Sequence, residues 1–529
     1  MKTLTTSHLP NDEIDAVFDA LHAQVAQLKH QVDWFKRQLF GRKSEKQIVD
    51  NPDQANLFAL PTQGDKDPVP KKQIKAHTRS GKQKNSQYVN DTGLRFTDEV
   101  PQTVIDVPCP ELAGENADNY EVIGTKETYR LAQQIGSYHI LVYRKKVLKN
   151  KLDSKITQPP APENVLEGCY ADVSLLAGLM VDKAVYHLPL HRQHQRMLDA
   201  GVTLSRSTLL SYVARGIELL RPIARAMLTN MLAGQHLAMD EVPHKVGRTP
   251  PSKPSISSNH ARTMKQTYFW PIYGQDDEVY FTWSNNRSAA HAFEQLQGFN
   301  GTLLTDGYAA YSKTVSQLTT LGQQITHATC WAHARRMFEK AHDSAPKESA
   351  YALQLIRQLY QVEKRLRGSA ATPQKITEWR LKYSKPIVDT FYKWCYEQRQ
   401  RVDLLPKDPF NKALYYAHER QSELLVYLTH ADVPIDTNHL ERALRVIPMG
   451  RKNHLFCWTE LGAEQLGILH SLTVTCRLHN INPYVYLVDV LQRVSHHPAK
   501  DVGRLTPREW KQRFSHAPLK SDVNHVNRL

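Results

Sequence analysis

Gln235-His236-Leu237-Ala238-Met239-Asp240-Glu241-Val242 is a short apolar run that ends on an acid, and its reading decides the fold. A second such run, Gly301-Thr302-Leu303-Leu304-Thr305-Asp306-Gly307-Tyr308, also closes on a carboxylate, just before a glycine turn. Both have the length and side-chain types of buried strands. Between them lie two more strand candidates, Gln266-Thr267-Tyr268-Phe269-Trp270-Pro271-Ile272-Tyr273 and Glu278-Val279-Tyr280-Phe281-Thr282-Trp283, and a helical stretch from Ala289 to Leu296. The order is three strands, a helix and a fourth strand, with acids closing the first and the fourth. Neighbouring strand ends bring two such carboxylates together despite the long sequence gap.

That order predicts an α/β fold with a ribonuclease-H-like core. A third acid, Glu441, lies in Asp436-Thr437-Asn438-His439-Leu440-Glu441-Arg442-Ala443-Leu444-Arg445, which reads as the first turn of a helix. Mg²⁺ and Mn²⁺ take hard oxygen ligands, and a few carboxylates leave positions open for water and phosphate. Two such ions about 4 Å apart serve both the attacking and the leaving oxygen of a phosphodiester. The structural alternatives are a solvated turn acid for either Asp and a capping-box role for Glu441, three residues after Asn438.

Several motifs in order resemble the transposases of the insertion-sequence-66 family. They are Leu304-Thr305-Asp306-Gly307-Tyr308-Ala309-Ala310-Tyr311, Cys330-Trp331-Ala332-His333-Ala334-Arg335-Arg336, the Asn438 to Arg445 stretch, and Gly450-Arg451-Lys452-Asn453-His454-Leu455-Phe456. The resemblance continues through Asn482-Pro483-Tyr484-Val485-Tyr486-Leu487 to Leu505-Thr506-Pro507-Arg508-Glu509-Trp510 and covers most of the chain. It implies that Asp240, Asp306 and Glu441 form the Asp-Asp-Glu metal site of a DNA transposase using Mg²⁺ or Mn²⁺. One departure is Glu241, a second acid beside the first, which points to the other face if the strand persists. The resemblance also implies that Cys330 and His333 support the core without binding metal.

A chain of 529 residues holds several domains, and a net charge of +15 with pI near 9.3 favours a polyanionic partner. The six cysteines are scattered without metal-ligand spacing, which fits a reducing cytosol. The N-terminus lacks the apolar run of a signal peptide, and the most apolar stretch, Val173 to Leu190, is broken by Asp182, Lys183 and His187. No membrane association is expected. The setting implied is bacterial cytoplasm, on the nucleoid when DNA is bound.

Residues 1–48 read as a coiled-coil helix: Ile14, Leu21, Leu28 and Phe35 repeat at one heptad position, and Phe18, Val25, Val32 and Leu39 at the other. The alternative is an amphipathic helix packed on its own chain. Residues 49–93 form a breaker-rich linker whose basic run, Lys71 to Lys84, contains no acid and suits either solvent or phosphate contacts. The family commonly carries a zinc module with two Cys-x-x-Cys pairs at 94–160. Here only Cys109 remains of them, so a zinc-free β-rich module is expected, with strands at Tyr129-Arg130-Leu131 and Tyr138-His139-Ile140-Leu141-Val142-Tyr143. No structural zinc is expected.

Residues 161–234 read as helical and helix-turn-helix-like, with Ser205 or Ser207 capping the second helix; the shape serves either packing alone or DNA reading by Ser205, Arg206 and Ser207. Residues 235–339 and 431–460 make the core, 340–430 a helical insertion, and 461–529 a C-terminal helical region. Arg335, Arg336, Arg442, Arg445, Arg451 and Lys452 are the candidates for gripping phosphates, against a role as ordinary surface charges. The combined reading is a transposase that cuts element ends and transfers the freed strand to target DNA. It works as a homo-oligomer, with accessory proteins of the same element as further candidate partners. A regulator that kept the fold and a stand-alone metal-dependent nuclease are the alternatives. The intact acid triad argues against the first, and the N-terminal helix against the second, because two element ends must be held together.

The paired heptad rows make residues 12–40 the self-association element. Leu21→Glu combined with Leu28→Glu is expected to reduce the mass measured by light scattering, and an unchanged oligomer would refute that role.

Overall fold

The structure, a computed structural model, describes residues 164–248 apart from 170, 264–367 and 371–523, together with 138, 141, 148–149 and 156–157. The heptad helix, the basic linker, Cys109 and the run at Tyr129 lie outside the described residues. Tyr138 and Leu141, the two described positions of the run at 138–143, are not in a strand. A two-residue antiparallel pair forms further on instead, from β1 (Leu148–Lys149) and β2 (Ile156–Thr157).

Three helices follow: α1 (Val173–Ala184), α2 (Leu190–Asp199) and α3 (Arg206–Leu232). Asp172 caps α1 by accepting from the Ser174 N–H, and Ser205 caps α3 by accepting from the Thr208 N–H at 3.0 Å. The helix that begins at Ser205 runs on to Leu232, because Leu209, Val213, Ile217, Leu220 and Ile223 keep an apolar stripe buried along it.

The sheet comprises β3 (His236–Met239), β4 (Val242–Arg248), β5 (Met264–Gly274), β6 (Val279–Ser284), β7 (Gly301–Thr305) and β8 (Ile325–Thr329). β3 and β4 share one edge of β5 in a continuous antiparallel register, Met239 opposite Ile272 and Val242 opposite Phe269, and β6 takes the other edge. On its far side β3 runs parallel to β7, and β7 parallel to β8. The sheet is therefore mixed, and β3 is buried at every position. Helices α4 (Ala289–Gln295) and α5 (Ala309–Thr320) flank β7 in sequence. With the end of α3 they enclose Leu237, Met239, Trp270, Ile272 and Leu303 in one apolar layer.

On the other face lie α6 (Trp331–Ala341) and α7 (Pro346–Arg367); α8 (Pro373–Trp379) buries none of its residues, and α9 (Lys385–Arg399), α10 (Pro409–Glu419) and α11 (Gln421–Leu425) join the same layer as α6 and α7. Arg380 locks this helical insertion to its exit. Its guanidinium is buried against Glu363 at 2.8 Å and donates to the carbonyls of Tyr427, His430 and Val433. The chain then returns through α12 (Asn438–Leu444), α13 (Val446–His454), α14 (Glu460–Leu478), α15 (Pro483–Arg493) and α16 (Pro507–Arg513). Among the described residues no helix is long and apolar enough to cross a membrane.

Helix α14 covers the outer edge of β6, which would otherwise offer unpaired backbone groups. The Ser471 hydroxyl accepts from the Phe281 N–H at 2.8 Å and the Thr475 hydroxyl from the Val279 N–H at 3.1 Å. Gly467 permits this approach, since a Cβ there would lie 2.6 Å from the Phe281 carbonyl oxygen. Gly467→Ala improves helix propensity by about 1 kcal/mol. The backbone clash costs ~1–3 kcal/mol and outweighs it. Ser471→Ala strands the buried Phe281 N–H, at a further ~1–3 kcal/mol. Both variants are expected to lower the urea midpoint, and a Gly467→Ala protein as stable as the parent would contradict this packing.

Candidate active site

The parallel pairing of β3 with β7 builds the site. Ala238 lies opposite Leu304, so the register continues directly to Asp240 beside Asp306, at the carboxyl ends of both strands. Ligands gather at that end of parallel strands. One carboxylate oxygen each from Asp240, Glu241 and Asp306 lie within 4.8 Å of one another, a spacing suited to a shared cation.

The three acids are held differently. The Asp240 carboxylate accepts from the Glu241 N–H at 2.7 Å, its one hydrogen bond among the described residues. Burial first, then the charges of Asp306, Glu241 and Glu441, push its carboxyl up to about 8. Asp306 accepts from the Tyr308 N–H at 2.8 Å, while Tyr416 donates to its backbone carbonyl at 2.6 Å. Arg420 bonds the next carbonyl, that of Gly307, where φ is +87° and a Cβ would collide with the guanidinium. Helix α10 and the residue after it thereby clamp the Asp306 turn.

Glu241 is buried, and its carboxylate is engaged by the Arg287 guanidinium, with Nε at 2.6 Å, and by the Tyr311 hydroxyl at 2.6 Å. Arg287 in turn stacks 3.9 Å from the centre of the Tyr308 ring. Burial raises the Glu241 carboxyl, and the Tyr311 and Arg287 hydrogen bonds oppose that rise. The sequence reading did not single out Arg287 for the site. Tyr311 stood in a quoted motif, five residues after Asp306, and helical periodicity turns it back toward the acids.

Glu441 lies outside the close trio. Its carboxylate sits 3.8 Å from His333 Nε2 and 3.4 Å from Arg336, and its charge reaches Asp240. The capping-box alternative fails on geometry. Thr437 is the N-cap and makes no side-chain cap, which puts Glu441 one position too far along α12. The Asn438 N–H and side chain are taken up by Asp436 at 3.1 and 2.6 Å. Glu441 therefore carries no cap and faces α6.

Cys330 fixes the two halves of the core together. Its buried thiol accepts from both the N–H and the hydroxyl of Thr437 at 3.3 Å, the residue that opens α12, and burial pushes the thiol up to about 11. The Trp331 N–H donates to the Ile435 carbonyl at 3.0 Å. His333 is held neutral by burial and by Arg336. Among the basic candidates, Arg336 sits against Glu441, Arg335 pairs with Glu339 at 2.8 Å, and Arg451 donates to the Pro243 carbonyl at 2.7 Å. Arg442, Arg445 and Lys452 are exposed on α12, after it and on α13.

A family model described as Transposase IS66 family matches residues 168–465, over half of the chain. Models described as IS66 C-terminal element and Transposase C of IS166 homeodomain match 471–508 and 27–87. Two relatives from Sinorhizobium fredii, the uncharacterized proteins y4hP and y4jD, are each 28% identical to the chain. The first match spans 68% of this chain and 65% of y4hP, and the second 68% of this chain and 70% of y4jD. Solved structures with local likeness include a Mos1 transposase paired-end complex with left transposon end, at 15% identity, 33% of this chain, 62% of that chain and TM-score 0.12. A pre-cleavage Mos1 transpososome matches at 13% identity, 53% of this chain, 82% of that chain and TM-score 0.14. TM-scores this low carry no argument about the fold.

The Asp240 carboxyl lies above its unfolded value, so folding favours its protonated form. That stability is present in full at acid pH and is lost as pH rises toward about 8. In chelator, Asp240→Asn is expected to unfold at a higher temperature than the parent at pH 8.5, with the gap narrowing toward pH 5. Added Mg²⁺ is expected to stabilise the parent alone. A parent no less stable than Asp240→Asn at pH 8.5 in chelator would contradict a charge-crowded site.

Proposed function

Because the chain belongs to the Transposase IS66 family, we propose that it is a DNA transposase that cuts element ends and joins the freed 3′ hydroxyl to target DNA at a ribonuclease-H-like metal site. The observation that carries this reading is the pairing of Asp240 and Asp306 at adjacent strand ends, with carboxylate oxygens close enough to share a cation. The donor set fits Mg²⁺ or Mn²⁺, since it is all oxygen and, among the described residues, no cationic side chain bonds the Asp240 carboxylate. A divalent ion bound there supplies Lewis acidity toward the attacking and leaving oxygens of a phosphodiester.

The protein's own groups do the rest. Asp240 and Asp306 hold the ion, and Glu441 is the third carboxylate, approaching from α12 while His333 and Arg336 set its orientation. Glu241 is occupied by Arg287 and Tyr311 and stiffens the turn between β3 and β4. Arg335, Arg336, Arg442, Arg445, Arg451 and Lys452 contact phosphates and keep the scissile strand in register, with little base readout. The helix start at Ser205, Arg206 and Ser207 adds contacts with the DNA ends, and residues 12–40 bring two copies together. The cytoplasm, on the nucleoid, is the place of action.

Labelled element-end DNA with Mg²⁺ tests this directly. Asp240→Asn, Asp306→Asn and Glu441→Gln are each expected to reduce cleavage and strand transfer beyond the ~10–100-fold typical of losing a group that only supports a ligand. DNA affinity is expected to stay within a few-fold of the parent, as the basic surface is untouched. Glu241→Gln separates the two readings of the third acid. If it abolishes cutting while Glu441→Gln cuts near the parental rate, Glu241 and not Glu441 is the third ligand.

A further inference from the structure

Away from the carboxylates, the fold gathers soft and imidazole donors where β4 meets α13 and α14. His454 and Cys457 are spaced as His-x-x-Cys on the turn that leaves α13, where Leu455 takes a left-handed φ of 62°. That turn is pinned to β4: the Cys457 N–H donates to the Lys245 carbonyl and the Gly247 N–H to the Cys457 carbonyl, both at 3.0 Å. From β4, His244 Nε2 approaches Cys457 Sγ to 3.5 Å, and the His244 and His454 rings lie 5.9 Å apart between centroids. His470 comes from α14. It is 1% exposed, and neither ring nitrogen has a hydrogen-bond partner among the described residues. His244 Nδ1 and His454 Nε2 are likewise buried without partners. Such orphaned nitrogens call for an explanation.

We propose that Cys457, His244, His454 and His470 form a second, structural site for a zinc-like transition-metal ion, independent of the Asp240 and Asp306 carboxylates. One thiolate and three imidazoles supply four sulfur and nitrogen donors, the donor types and the number that zinc takes in a tetrahedral site. Two imidazoles bound to one ion at a Zn–N distance of about 2.0 Å have ring centroids roughly 5 Å apart, close to the His244 and His454 spacing. No three of these donors lie within 4.8 Å of one another here, so binding requires ring rotations that draw His454 and His470 inward. The imidazoles are in the form that binds metal: burial first lowers His244 and His454 to about 4 and His470 well below its usual value. Burial pushes the Cys457 thiol up to about 11 and the Lys183 charge only partly offsets that rise, so the thiolate forms as the metal displaces the proton. The ion would clamp the segment after Glu441 to the catalytic sheet. This departs from the expectation of no structural zinc, which weighed cysteine spacing and not histidines brought together by folding.

The test uses the full, tag-free chain. Elemental analysis after exposure to Zn²⁺ and gel filtration is expected to give one tightly held zinc per chain, retained in Asp240→Asn and lost in Cys457→Ser. With Co²⁺ instead, thiolate-to-metal charge transfer and intense tetrahedral absorption are expected. If Cys457→Ser does not fold, alkylation of Cys457 in the parent replaces it, and Zn²⁺ is expected to slow that reaction at least tenfold until chelator is added. Failure to retain zinc, weak octahedral cobalt bands alone, the same zinc content in folded Cys457→Ser, or alkylation indifferent to Zn²⁺ would each overturn the site.

Discussion

The parallel pairing of His236–Met239 with Gly301–Thr305 is the constraint on which the rest depends. Strand register is quantised: a slip of one residue would turn Asp240 or Asp306 to the opposite face and separate the carboxylates. Burial of β3 on both faces fixes that register, because Leu237 and Met239 fill one apolar layer and Ala238 the other. Gly301 tightens it further. A Cβ there would meet the Gln235 carbonyl oxygen at 2.1 Å, so only glycine lets β7 start so close to β3.

Around this pair the protein solves an electrostatic problem. Three acids converge where burial already disfavours charge, and cationic support is given to Glu241 but withheld from Asp240. The consequence is one neutralised carboxylate that braces the turn beside one that stays short of positive charge. Glu441 is delivered from far along the chain, after the helical insertion. Arg380 and Cys330 fix that delivery through hydrogen bonds to the returning backbone, Arg380 donating to carbonyls at the insertion's exit and Cys330 accepting from the Thr437 N–H that opens α12.

Much of this was legible in the sequence, for identifiable reasons. Apolar runs that stop at an acid before a turn mark strand ends, and the intervening strands and helix give a crossover that places β7 beside β3. The strand Val242–Arg248 was not legible, since it contains Pro243 and Gly247, which argue against a strand. It forms because β5 is long enough to pair with it after β3 ends, and because Pro243 lies on an edge. The Asn438-x-x-Glu441 pattern suggested a cap, but Asp436 had already taken the Asn438 groups. The partners of Glu241 and the His244, His454 and His470 gathering come from segments distant in sequence, and no local spacing encodes them.

The most direct measurement is the position of Mn²⁺, located by its anomalous scattering in crystals of the protein with element-end DNA. The expected result is an ion ligated by both Asp240 and Asp306 through carboxylate oxygens, with Glu441 reaching the same cluster and Glu241 still paired with Arg287. Manganese held elsewhere, or held by Glu241 with Glu441 turned away, would contradict it.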